Sequence, residues 1–172
     1  MEESAPHRMR YKKLPTVLVL DRLRSAFNTG NIFRLADAAG VEKVYCCGYT
    51  PAPPHPKLIK TAMGAAETVP FEVAPDSLTA VRALKKAGYF CAAVEVGEKA
   101  VEVWDQEFQF PLALVFGNEA LGVAEETIKE CDALVCLPMF GSKTSTNVGN
   151  CAAAILYALT GKYGRINPEE NR

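Results

Sequence analysis

The stretch LPMFGSKTSTNVGN, residues 137–150, decides how the rest of the chain is read. It continues the apolar run ALVCLP (133–138), which has the length of a buried strand. It then enters NVGNCAAAILYALTG (147–161), an apolar helix expected to stop at Gly161. Between strand and helix lie Gly141 and Gly149 with the hydroxyl and amide side chains of Ser145, Asn147 and Asn150. In a parallel sheet, ligands sit where the carboxyl end of a strand turns into the next helix. Glycines there let a ligand approach the backbone closely. Any one such residue is ordinary in a turn. Several such loops in one small chain point to a binding site.

Two more loops of this kind lie upstream. LALVFG (112–117) leads through GNEALG (117–122) to AEETIKECD (124–132), a short helix whose leading acids suit its dipole. TVLVL (16–20) leads to SAFNTGNIFR (25–34). There Asn28, Thr29 and Gly30 read as a loop before the helical spacing of IFRLADAAG (32–40), with Gly40 as its stop. VEKVYCC (41–47), ETVPFEV (67–73) and YFCAAVEV (89–96) read as further strands. DSLTAVRALKKAG (76–88) reads as an amphipathic helix capped by Asp76 or Ser77 and ended by Gly88. GYTPAPPHPK (48–57) is expected as an extended loop, because proline lacks the N–H that regular structure needs. Strands alternating with helices predict an α/β fold, a mainly parallel sheet with helices on both faces. The expected organisation is a basic extension (1–14), one domain (15–164) and a polar tail (165–172).

Composition sets outer bounds. A chain of 172 residues with 49% hydrophobic content can bury one core. No apolar run has bilayer length, and the first residues lack a signal-peptide core, so a cytoplasmic protein without membrane partners is expected. The six cysteines sit mostly in apolar runs without a CxxC pair, and His7 and His55 stand apart, so no metal site is expected. A net charge of −1 says little about nucleic acid, but its distribution is uneven. Arg8, Arg10, Lys12 and Lys13 cluster early, Arg22 and Arg24 follow the first strand, and Lys57 and Lys60 flank the proline-rich loop.

Common nucleotide motifs are absent. The first strand is not followed by GxGxxG, and GSKT (141–144) lacks the earlier glycine of a phosphate-binding P-loop. A GxSxG nucleophile elbow is also missing. A nucleotide hydrolase built on GSKT is therefore a remote reading.

Taken in order, NTGNIFRLADAAG (28–40), LVFGNEALG (114–122) and LPMFGSKTSTNVGNCAAAI (137–155) resemble the three motifs of the SpoU/TrmH branch of the SPOUT methyltransferases. KTAMGAAETVPFE (60–72) resembles the segment that links them. The resemblance implies a C-terminal deep trefoil knot that binds S-adenosylmethionine, and a homodimer with the last helix in its interface. On that helix, Ala152, Ile155, Leu156 and Leu159 form a stripe that suits core or partner equally. The implied activity is methyl transfer to a ribose 2′-hydroxyl of structured RNA, with tRNA favoured over rRNA. The alternative is a knotted protein that binds RNA or cofactor without catalysis.

Carried onto this chain, the resemblance assigns catalysis to Arg34, Asn28, Ser145, Asn147 and Glu119, with Arg34 foremost. It assigns cofactor contacts to Val94, Glu95, Leu114, Phe116, Gly117, Asn118, Gly122, Leu137 and Met139, again with Ser145 and Asn147. RNA contacts are expected from Arg8, Arg10, Lys12, Lys13, Arg24 and Arg34, since phosphate contacts supply affinity. Two residues depart from the family pattern. Thr146 stands where leucine is common, and Gly149 where serine is common.

Overall fold

The computed structural model describes residues 13–164. The strands are β1 (Thr16–Asp21), β2 (Lys43–Cys47), β3 (Phe71–Ala74), β4 (Phe90–Val94), β5 (Val101–Glu102), β6 (Leu112–Gly117) and β7 (Ala133–Cys136). The helices are α1 (Ala26–Ala39), α2 (Pro56–Ala62), α3 (Ala65–Thr68), α4 (Ser77–Lys86), α5 (Glu125–Glu130) and α6 (Val148–Tyr163). All strands join one sheet in the order β3-β2-β1-β6-β4-β7-β5, and every pairing is parallel. β4 lies between β6 and β7, so the chain crosses over between these strands.

The central strands explain why the sheet needs helices on both faces. Successive side chains of a strand point to opposite sides. Leu18 and Leu20 of β1 join Leu112, Leu114 and Phe116 of β6 in one core, which α1, α2 and α6 cover with Ile32, Phe33, Leu58, Ile155 and Leu159. Val17 and Val19 join Ala113 and Val115 in a second core, covered by Val81 and Leu84 of α4. A run such as TVLVL is buried throughout because each face has its own cover. Truncating a residue of this kind, such as Leu18, costs about 2–5 kcal/mol.

Several local expectations hold. Asp76 caps α4 by accepting from the Thr79 N–H at 2.6 Å. Gly40 ends α1 in the left-handed conformation, at φ 70°. Other expectations need correction. α1 starts at Ala26, so Asn28, Thr29 and Gly30 lie in its first turns and not in a loop. Ser25 makes this early start by accepting from the Asn28 N–H at 3.1 Å. Gly30 is required inside the helix because a Cβ there would lie 2.7 Å from the Leu58 carbonyl oxygen and from Thr61 Cβ.

The proline-rich loop ends two residues early. Pro56 opens α2, a position where a missing N–H is harmless. The two-residue strand β5 carries too little pattern to be seen in sequence. α6 passes Gly161 and runs to Tyr163. Its apolar stripe belongs to the core, with Ala152, Ile155, Leu156 and Leu159 each at most 3% exposed.

Candidate functional site

The carboxyl ends of β6, β4 and β7 open into a cavity of about 550 Å³, a volume typical of small-molecule sites. Val94, Phe116, Leu137 and Met139 supply apolar walls. Glu95, Thr144, Ser145, Thr146 and Asn147 supply carboxylate, hydroxyl and amide groups. This mixture suits a nucleoside-sized ligand with a flat apolar part and a polar, positively charged part.

The loop after β6 is built by close packing. A Cβ on Gly117 would collide with the backbone of Gly122 and Val123. Gly122 is left-handed at φ 68°, and a Cβ there would run into the Glu95 carboxylate. That carboxylate accepts from the Val123 N–H at 3.1 Å and from the Val96 N–H at 3.0 Å. Asn118 is 4% exposed and fully engaged. Its amide nitrogen donates to the Arg22 carbonyl and the Tyr49 hydroxyl, and its oxygen accepts from the N–H groups of Ala120 and Leu121. Its side chain therefore shapes the loop that borders the cavity. Buried Asp21, at the end of β1, receives the Ala124 N–H at 2.8 Å and ties the far side of the loop to the sheet.

A chain of hydrogen bonds joins the three glycine-bearing segments. The Asn28 amide nitrogen donates to Glu119 Oε1 at 3.0 Å. The Asn28 oxygen accepts from Asn147 Nδ2 at 3.1 Å. Asn147 then caps α6 by accepting from the N–H groups of Gly149 and Asn150. Glu119 also receives the backbone N–H groups of Arg24 and Ser25, at 2.9 and 3.2 Å. Burial pushes the Glu119 carboxyl up, but these donors outweigh it and hold the group below the usual carboxylate range.

Most expected cofactor-site residues line the cavity: Val94, Glu95, Phe116, Gly117, Asn118, Gly122, Leu137, Met139, Ser145 and Asn147. Glu119 lines it as well. Leu114 does not. It points into the core at 0% exposure, because the strand alternation that brings Phe116 to the end of β6 buries Leu114 one pleat below. Arg34 is also outside the lining. It lies on the exposed face of α1, and its guanidinium donates to Met63 Sδ at 3.1 Å.

Of the expected RNA contacts, Arg8, Arg10 and Lys12 lie outside the described residues. Lys13 packs beside Gly40 at the C-terminal end of α1, away from the cavity. Arg24 is exposed next to the Glu119 contact. The cavity also recruits Val96, Ala120, Thr144, Val148, Cys136 and Cys151, none of which was expected there, and neither cysteine has a partner in sequence that would mark it. All six thiols are free, and burial pushes the Cys151 thiol up to about 11.

The two departures from the motif fall at the same place. Thr146 lines the cavity. At Gly149 a Cβ would stand 3.2 Å from the Asn147 oxygen that its own N–H binds, so the glycine leaves the α6 cap uncrowded.

Comparison with known proteins agrees with this geometry. The model of the SpoU rRNA Methylase family matches residues 15–157. The chain belongs to that family. It is 34% identical to a 23S rRNA (guanosine-2′-O-)-methyltransferase of Pseudomonas putida, over 83% of this chain and 57% of the relative. The chain therefore spans little more than half the length of that relative. Its fold superposes on the SpoU methyltransferase AviRb from Streptomyces viridochromogenes, a structure containing AdoMet. That match has a TM-score of 0.78 and 29% identity, covering 94% of this chain and 63% of the other. An AdoMet-bound rRNA methyltransferase from Sinorhizobium meliloti gives 0.80 and 27%, over 90% and 62%.

Proposed function

We propose that this SpoU-family chain transfers the methyl group of S-adenosylmethionine to a ribose 2′-hydroxyl of structured RNA. The observation that carries the reading is Asn28, which bonds to both Glu119 and Asn147 and so joins the three motif segments beside the cavity. The expectation that tRNA is the favoured substrate gives way to rRNA. The P. putida relative is named for 23S rRNA, and the S. meliloti protein for rRNA.

The lining fits the donor. Val94, Phe116, Leu137 and Met139 would hold its adenosine, with Glu95 facing polar or positive groups. Gly117 lets the loop close tightly around it. When bound, S-adenosylmethionine supplies an electrophilic methyl group on a cationic sulfur. Ser145 and Asn147 orient polar groups at the mouth of the cavity.

A ribose hydroxyl is a poor nucleophile and must lose its proton as it attacks. Arginine keeps its charge in proteins, so Arg34 acts by holding a neighbouring phosphate and by stabilising the developing alkoxide. Arg34 lies outside the cavity lining of its own chain, which supports a homodimer in which a partner presents this residue. Phe27 (62% exposed) on α1 and Tyr157 (55% exposed) on α6 give that pair of helices an apolar outer surface for such contact.

Methyl transfer from labelled donor into purified 23S rRNA and tRNA, followed by nucleoside mass spectrometry, tests the proposal. The expected product is a 2′-O-methylated nucleoside from ribosomal RNA. Base methylation without ribose methylation would overturn it.

A further inference from the structure

The described cations divide into those paired with a described carboxylate and those without one, the latter including Lys13, Arg24, Lys86, Lys99 and Lys143 as well as three that lie together on α1 and α2. Among the described residues, Arg22, Lys43, Arg82, Lys85, Lys129 and Lys162 each pair with a carboxylate within 4.0 Å. Arg34, Lys57 and Lys60 have no carboxylate partner among the described residues, and all three are exposed. They are also neighbours. α2 packs against α1 through Gly30, whose missing side chain admits the Leu58 carbonyl and Thr61. The Arg34 guanidinium reaches Met63, the residue that ends α2.

Lys57 and Lys60 are three residues apart, the spacing that puts side chains on one helix face. They are the only ionisable groups on α2. Asp37, the acid nearest in sequence on α1, is engaged by the Thr68 hydroxyl at 2.9 Å. Meanwhile acids collect across the sheet on α5, at Glu125, Glu126 and Glu130. Two of those acids are matched by cations of the same face, Glu125 by Lys129 and Glu130 by Arg82, whereas α2 carries no acid.

We infer that Lys57 and Lys60 extend the surface begun by Arg34 into a track for the sugar–phosphate backbone of the RNA substrate. This rests on the methyltransferase reading above and adds two residues to it. Three exposed cations with no carboxylate at ion-pair distance among the described residues can exchange their counterions for phosphates, which is the main source of RNA affinity. Two flexible ammonium groups suit backbone contact and not base readout, so the track holds RNA without selecting its sequence. Its position beside Arg34 means that RNA held on α2 would present a ribose near the residue assigned to the reaction.

The test compares wild type with the Lys57→Ala/Lys60→Ala double variant in binding to in vitro transcribed 23S rRNA across about 50–200 mM salt. Affinity should fall roughly tenfold, and the slope of log K against log salt should shrink by about 1.5, the share of two phosphate contacts. S-Adenosylmethionine binding by calorimetry should not change. Lys57→Arg/Lys60→Arg should restore the slope. Lys86→Ala/Lys129→Ala, on α4 and α5, should behave as wild type. Wild-type affinity and slope in the Lys57→Ala/Lys60→Ala variant would remove the track while leaving the methyltransferase reading intact. An equal loss in the α4/α5 control would also remove it. Failure of the wild type to bind RNA at any salt would overturn both.

Discussion

Asn28 bonds to Glu119 through its amide nitrogen at 3.0 Å and to Asn147 through its amide oxygen at 3.1 Å. These partners lie 91 and 119 residues away in the chain. An amide does both from two separate atoms, its nitrogen donating and its oxygen accepting, on one short side chain. Asn28→Asp removes the donor and sets a second carboxylate against Glu119. Stability should fall by about 1–3 kcal/mol, as expected when a buried polar contact is broken. Urea denaturation would measure that loss, and methyl transfer should fall with it.

Glu119 yields a pH prediction. Desolvation raises its pKa, but the donors from Arg24, Asn28 and Ser25 bring the folded-state value below normal. A carboxyl depressed by folding contributes stability above its unfolded pKa, about 4.3. That contribution disappears as pH falls through the folded value. Wild type should therefore exceed Glu119→Gln in stability at neutral pH, with the gap closing below about pH 4.3. Denaturant melts across this range check it. A gap independent of pH would show that the carboxylate charge is irrelevant.

Gly117 and Gly122 should tolerate alanine differently. At Gly117 a Cβ meets backbone, which has little room to move. At Gly122 it meets the Glu95 side chain, although φ 68° adds strain. Gly117→Ala should cost about 3 kcal/mol and abolish donor binding. Gly122→Ala should cost about 1–2 kcal/mol, mostly from strain, and weaken donor binding as Glu95 is displaced. Calorimetry with S-adenosylmethionine ranks the two, and equal affinities would contradict this packing.

Arg34→Ala should separate binding from chemistry. The residue lies outside the cavity lining, so donor affinity should stay at the wild-type level. Methyl transfer should drop by about 100-fold or more, the scale of removing one group that stabilises developing charge. Mixing Arg34→Ala with a pocket variant such as Glu95→Lys should recover activity through mixed dimers. No recovery in a mixture shown to contain mixed dimers would place Arg34 and its pocket in the same chain.

Cys136 and Cys151 line the cavity, whereas Cys131 does not. Burial pushes the Cys151 thiol up to about 11 and Cys131 up to about 12, so thiolate is scarce in both at neutral pH. Alkylation should be slow at pH 7 and speed up with rising pH. S-Adenosylmethionine should protect Cys136 and Cys151 but not Cys131, as read by peptide mass spectrometry.

The alternation of strands and helices was legible in the residues, because burial on two faces demands the unbroken apolar runs of β1 and β6. The three motif loops were legible for a related reason, since glycines and short amides recur where the backbone must turn tightly. Less visible were the start of α1 at Ala26 and the helix at Pro56, which depend on the Ser25 cap and on packing through Gly30.

By itself the sequence determined the layered α/β class, the ordered motifs and most of the residues that reach the cavity. Local patterns of burial and turning gave the class and the strand-end loops, and the resemblance to the SpoU/TrmH family implied the site residues. Tertiary structure alone decided which of those residues face the cavity. It buried Leu114, set Arg34 on the outer face of α1, spent the Asn118 side chain on its own loop, and joined Asn28 to Glu119 and Asn147. The physical reason is that hydrogen-bond partners and exposure depend on distances through space. Those distances are set only when strands far apart in the chain are laid side by side.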